Sequence, residues 1–294
     1  MSSSKVFFRG LYAYSIHARD NSGVIEYEEF FNSIATLPGV ERQIKVGNDF
    51  VAISVMDSIE GGWVLRFVTG REGMPQLTYD PTTGQELYDD LDGRMAISGS
   101  WVVLKPASRF VVVERNRPGV PVLLMAQALS NLGRDLLGSK ALVVDLNPVP
   151  SQSLAMELNR FERIRQASLV ISRPNFSWSD DANVLVMNYA DDSDARSVEV
   201  VLSADTGESL SKSGGIIADI RRMIAHPIGA IRELKWTGRR EGESKEVSVS
   251  LSKHQERSFA RILVGTSPKS ERDSIVNASE NLLSKLEQRS GENG

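Results

Sequence analysis

Residues 162–175 read ERIRQASLVISRPN: a helix end, a short turn, an apolar strand, and a stop written Arg-Pro-Asn. Upstream, SQSLAMELNRFERIR (151–165) reads as a helix with Ser151 or Ser153 as its natural N-cap. ASLVIS (167–172) is the strand that follows it. Three arginines, Arg163, Arg165 and Arg173, lie around that strand in a chain whose formal net charge is −4. The reading of this stretch decides the fold, because the segments before it alternate in the same way. RFVVVERN (109–116) is a strand, GVPVLLMAQALSNLG (119–133) a helix starting near Pro121, and KALVVDLNPVP (140–150) a strand stopped by Pro148 and Pro150. The β-α-β-α-β order predicts an α+β sandwich with helices on one face of a sheet.

On the N-terminal side the pattern is β-rich. KVFFRGLYAYSI (5–16) is a strand, and YEEFFNSIATL (27–37) is a short amphipathic helix with Phe30, Phe31 and Ile34 on one side. DFVAISVMD (49–57) and GWVLRFVTG (62–70) form a hairpin-like pair, MPQLTYDPTTGQELYDD (74–90) is turn-rich, and GSWVVLKPASRFVVVERN (99–116) holds two strands. On the C-terminal side, NVLVMNYA (183–190) and RSVEVVLSA (196–204) read as a hairpin around the acidic DDSDA loop. SGGIIADIRRMIAHP (213–227) is a helix, and AIRELKWTGRREGESKEVSVSLS (230–252) a strand, a charged turn and a strand. SERDSIVNASENLLSKLEQR (270–289) is an amphipathic helix with Ile275, Leu282 and Leu286 at near-heptad spacing. The expectation is a two-domain chain: a β-rich region over 1–105, a sandwich over 106–268, and a C-terminal helix and tail over 269–294.

Composition excludes several chemistries. With no cysteine, disulfides, thiolate nucleophiles and zinc–cysteine sites are ruled out, which fits a reducing cytoplasm. No apolar run is long enough for a secretory signal or for the ~18 residues of a membrane span. His17, His226 and His254 stand in no zinc-binding spacing, and no G-x-S-x-G elbow occurs. SKSGGIIADI (211–220) has Ile216 where a phosphate loop needs Lys, so a capped turn is expected. GESKEV (242–247) carries the E-x-K of Glu243 and Lys245, with Asp219 as a loose upstream carboxylate for a metal-dependent nuclease. No catalytic residue, cofactor or metal site is assigned.

Charge placement is more informative than its sum. Residues 179–208 hold eight acids against Arg196, whereas 160–173 hold Arg160, Arg163, Arg165 and Arg173 against Glu162. Residues 212–245 hold eight bases against four acids. Arg160 and Arg163 are expected to share a helix face, Arg221 and Arg222 to sit mid-helix, and Arg239 and Arg240 to mark a turn tip with Arg232, Lys235 and Lys245 flanking it. Lys253, Arg257 and Arg261 continue the bias. Cations lining one groove bind a phosphate backbone without reading sequence.

Three segments carry a family resemblance: FFNSI…IKVGNDFVAISVMD…GGWVLRFVTG (30–70), ISGSWVVLKPASRFVVVER (97–115) and RFERIRQASLVISRPN (160–175). In pattern and spacing, over residues 5–250, the chain resembles the Rex exclusion sensor of temperate phages and its Kiwa-type phage-defence relative. The resemblance implies a two-domain α+β homodimer that binds duplex DNA independently of sequence, with an auxiliary membrane protein as partner. It implies no catalytic residue. The expected function is therefore a non-enzymatic, cytoplasmic DNA-binding sensor or effector in phage exclusion or defence. The alternatives are the metal-dependent nuclease and a protein-interaction scaffold that touches no nucleic acid.

Overall fold

The computed structural model describes residues 5–20, 25–46, 49–70, 97–172, 197–225 and 231–291, and the backbone of 76–80 and 85–89. The fold is mixed α/β, and all its strand pairs are antiparallel. Strand β1 (Val6–Arg19) leads to helix α1 (Tyr27–Thr36), then β2 (Gln43–Val46), β3 (Asp49–Ile59) and β4 (Gly62–Gly70). β5 (Gln76–Asp80) and β6 (Gln85–Asp89) pair as a separate hairpin within the stretch read as turn-rich. β7 (Ile97–Lys105), β8 (Phe110–Arg115), α2 (Val122–Leu137) and β9 (Val143–Pro148) follow. α3 (Gln152–Asn159), β10 (Phe161–Ser172), β11 (Ser197–Ser203) and α4 (Gly215–Ala225) come next. The chain ends through β12 (Ile231–Arg240), β13 (Glu246–Ser250), β14 (Arg257–Leu263) and α5 (Pro268–Gly291).

Eight strands make one large sheet in the order β14-β1-β8-β7-β4-β3-β2, with β9 laid end to end with β14 along the same edge of β1. Residue 105, where the β-rich region was expected to end, falls inside this sheet, since β7 and β8 are neighbours. The expected β-α-β-α-β order is present, but not as one unit. β9 pairs with β1, and β10 opens a second, four-stranded sheet ordered β11-β10-β12-β13. Local pattern cannot tell these cases apart, because an apolar strand carries no label for its partner.

The helices of the large sheet lie on both faces rather than one. α1 and α2 cover one face with Phe30, Phe31, Ile34, Met125 and Leu129, packed on Ile16, Ile53, Phe67 and Val113. α5 covers the other with Ile275, Leu282, Leu283 and Leu286, packed on Leu11, Val103, Phe110 and Ile262. Between the layers β8 is buried from Phe110 through Glu114, which explains its unbroken FVVV run. The apolar stripe of α5 is covered by the chain's own sheet.

Among the described residues, helices cover one face of the second sheet. α3 and α4 bring Leu154, Leu158, Ile217, Ile220 and Ile224 onto Phe161, Ile164, Leu169, Leu234 and Trp236. Here the sequence expectation of a helix over 151–165 fails: α3 stops at Asn159 and Arg160 caps it. Phe161 and Ile164 are then drawn into pairing with β12 and into the core around Trp236, and this tertiary burial outweighs helix propensity. Gly238 admits the bulged β10 beside it, since a Cβ there would lie 2.1 Å from the Arg163 carbonyl oxygen. Buried Arg289 ties the layers together, donating to the Pro150 and Ile224 carbonyls at 3.0 and 2.9 Å and lying 3.6 Å from Glu256.

Candidate nucleic-acid interface

The fold separates the cations of the central segments into three neighbourhoods. The first lies around the start of β10 and the end of β12, and its arginines are engaged by carboxylates. Arg160 and Arg240 grip the two oxygens of Glu157 at 2.6 and 2.7 Å, Arg165 meets Glu246 at 3.0 Å, and Arg239 meets Glu162 at 3.4 Å. Burial pushes the Glu157 carboxyl up, but the hydrogen bonds and charges of Arg160 and Arg240 outweigh it and hold the group below its ordinary range. Arg163 stands opposite Arg239 in register and shares a hollow of about 340 Å³ with Arg165, Gln166 and Glu246. Arg160 and Arg163 share no helix face, because Arg163 is already on a strand. Arg239 and Arg240 are the last residues of β12 rather than a free turn tip, because Glu157 and Glu162 hold them beside α3 and β10.

The second neighbourhood is the outer side of α4. Ile216, Ile217, Ile220 and Ile224 face the sheet, so Arg221 and Arg222 face away from it, and Arg222 is bound to Asp219 at 2.6 Å. Lys245 is exposed just ahead of β13. Arg173 and the acidic stretch 179–196 lie outside the described residues, as do His226 and the strand expected over 183–190.

The third neighbourhood brings the two sheets together. Arg232 and Lys235 of β12 line a cleft of about 710 Å³. Its far wall is Tyr14, Pro148 and Gln255 from the large sheet, with Arg115 at the end of β8. Arg115, Arg232 and Lys235 have no ion-pair partner among the described residues, although Glu199 and Glu233 share the lining. Tyr14 is pushed above its ordinary value by burial, against the opposing pull of Gln255 and Arg115, so its hydroxyl stays neutral in the cleft. Beyond the mouth, Arg257 and Arg261 of β14 are exposed.

Arg115 had no part in the sequence-derived set. Its signal was legible as the first charge on the same face after the alternating valines of FVVVER, where a strand leaves its cover. Of the nuclease triplet, Glu243 lies 3.6 Å from Arg240, and Asp219 is held by Arg222 at 2.6 Å. Among the described residues no three His, Asp or Glu side chains form a group able to hold a metal. Ser211 caps the turn before α4 through the Gly214 amide at 3.2 Å, the expected capped turn. Ser15 and His17 lie 3.0 Å apart on β1 but are 0% and 6% exposed, which closes the hydroxyl to a substrate from solvent. Among the described residues no helix is long and apolar enough to cross a membrane. No protein-family model matches this chain, and no curated protein is similar to it.

Proposed function

We propose that this chain is a non-enzymatic DNA-binding protein that holds the phosphate backbone of duplex DNA at the cleft between its two sheets. The carrying observation is the convergence of Arg115, Arg232 and Lys235, from two sheets, without ion-pair partners among the described residues. A phosphate entering there displaces water and counterions rather than an existing salt bridge. In the first neighbourhood it would have to compete with Glu157, Glu162 and Glu246. Arg257 and Arg261 extend the same polarity along the neighbouring edge strand, and the acidic remainder of the chain repels DNA from other orientations. Phosphate contacts position without specifying, so binding is independent of sequence. The role as a sensor or effector in phage exclusion or defence, in a homodimer with a membrane protein as auxiliary partner, follows the resemblance of the element pattern.

The test is fluorescence anisotropy with a short random-sequence duplex across a salt series. Arg232→Ala/Lys235→Ala is expected to lower the slope of log K against log salt by about two. An unchanged slope, or no binding by the wild type at low salt, rejects the cleft as the site.

A further inference from the structure

β1 is the longest strand, 14 residues, or roughly 45 Å at ~3.3 Å per residue. α5, with 24 residues, spans about 36 Å and covers one face of its N-terminal half, whereas α2, with 16, spans only about 24 Å on the other face. The register shows what is left beyond the shorter helix. Phe8 pairs with Arg261, Gly10 lies between Phe259 and Arg115, and Tyr12 pairs with Arg257. Paired residues of an antiparallel sheet point to the same face, so all six side chains stand on one surface around a glycine. Phe8 and Phe259 are 64% and 54% exposed, and the Arg115 guanidinium lies 5.0 Å from the centre of the Tyr12 ring. Neighbouring carboxylates are turned away: Glu114 lies near Arg9 on the α5 face, and Glu256 is held there by Lys285 and Arg289. None of Arg115, Arg257 and Arg261 has an ion-pair partner among the described residues.

We infer that this bare end of the large sheet is a stacking platform for the unpaired bases of single-stranded DNA, continuous with the cleft through Arg115. An apolar partner surface would leave three guanidinia buried and unpaired, which is costly. A single DNA strand supplies both complements at once, a flat ring for each phenylalanine and a phosphate for each arginine. Phe8 and Phe259 sit diagonally across β1 and β14, about 7–8 Å apart by strand geometry. Gly10 makes room for the Tyr12 ring, which lies 3.1 Å from where a Cβ would stand, so a third aromatic ring joins the surface between Phe259 and Arg115. The inference rests on the reading of the chain as a DNA-binding protein.

The experiment compares labelled oligo(dT) with the random-sequence duplex for the wild type, Phe8→Ala/Phe259→Ala and Phe8→Tyr/Phe259→Tyr. Both positions are exposed, so thermal melting is expected to be unchanged. The alanine pair is expected to weaken oligo(dT) binding at least about 30-fold while duplex affinity stays within about twofold, and the tyrosine pair to bind like the wild type. Equal oligo(dT) binding by the alanine pair and the wild type overturns the platform. Duplex binding by the wild type without oligo(dT) binding overturns the platform and leaves the cleft reading standing. Binding of neither probe removes both. If the alanine pair instead halves the mass seen by light scattering with DNA binding intact, the face belongs to a second copy of the chain and the inference fails.

Discussion

β8 and β12 are both central strands, yet one reads FVVVE without a break and the other alternates from Leu234 to Gly238. The first is enclosed between α5 and the α1–α2 layer, whereas among the described residues the second has α3 and α4 on one side and the cleft on the other. Enclosure on two faces leaves no position for a polar group without a dedicated partner. Trp101 donates its amide to Glu114 at 3.0 Å, and burial still pushes that carboxyl up. Openness on one face lets β12 carry Arg232, Lys235, Thr237 and Arg239 at no such cost. The proposed DNA contacts therefore lie where a sheet outruns its helices among the described residues: the outer face of the second sheet and the projecting end of β1.

The sharpest way to break that contrast is to cut an apolar side chain from each side of it. Phe110→Ala, between the two layers, is expected to cost about 3–5 kcal/mol in urea denaturation. Val201→Ala, on the open face and 48% exposed, is expected to stay within about 0.5 kcal/mol. Comparable losses would mean that the second sheet's outer face is covered. Arg289→Met tests the tie between the layers. Removing a buried guanidinium from two carbonyls and Glu256 is expected to cost about 3 kcal/mol, read as a lower thermal midpoint. Arg239→Glu/Arg240→Glu comes next. It sets new carboxylates against Glu162 and Glu157 and is expected to cost about 1 kcal/mol, discounted because Arg239 is 41% exposed. Its effect on duplex affinity is expected to be smaller than that of Arg232→Ala/Lys235→Ala, and the reverse order would move the DNA site to the β12 end.

The smallest effect is a pH dependence. The Glu157 carboxyl is held below its ordinary value in the folded chain, so its contribution is full above the unfolded value of about 4.3 and is lost as pH falls through the folded one. Between mildly acidic pH and that lower range, Glu157→Gln is expected to lose less stability than the wild type, measured as thermal midpoints. Parallel pH profiles for the two proteins would show that Arg160 and Arg240 do not hold the group.

The sequence by itself determined β1, β3, β4, β7 and β8, the helices α1, α2, α4 and α5, and the hairpin of β12 and β13. Each carries its periodicity or its stop signal within its own residues, as in GVPVLLMAQALSNLG or Lys105-Pro106. It also showed that charge is segregated. Only the tertiary structure decided that β9 returns to β1, that Phe161 and Ile164 leave the helix for a strand, and that β14 closes the first sheet from the far end of the chain. It alone decided which cations are engaged. Arg160, Arg165, Arg239 and Arg240 read as free bases in one dimension and are paired in three, while Arg115 joins Arg232 across more than a hundred residues. The physical reason is range. Helix and turn preferences act over a few residues, whereas strand partners, ion pairs and clefts are fixed by contacts between segments far apart in the chain.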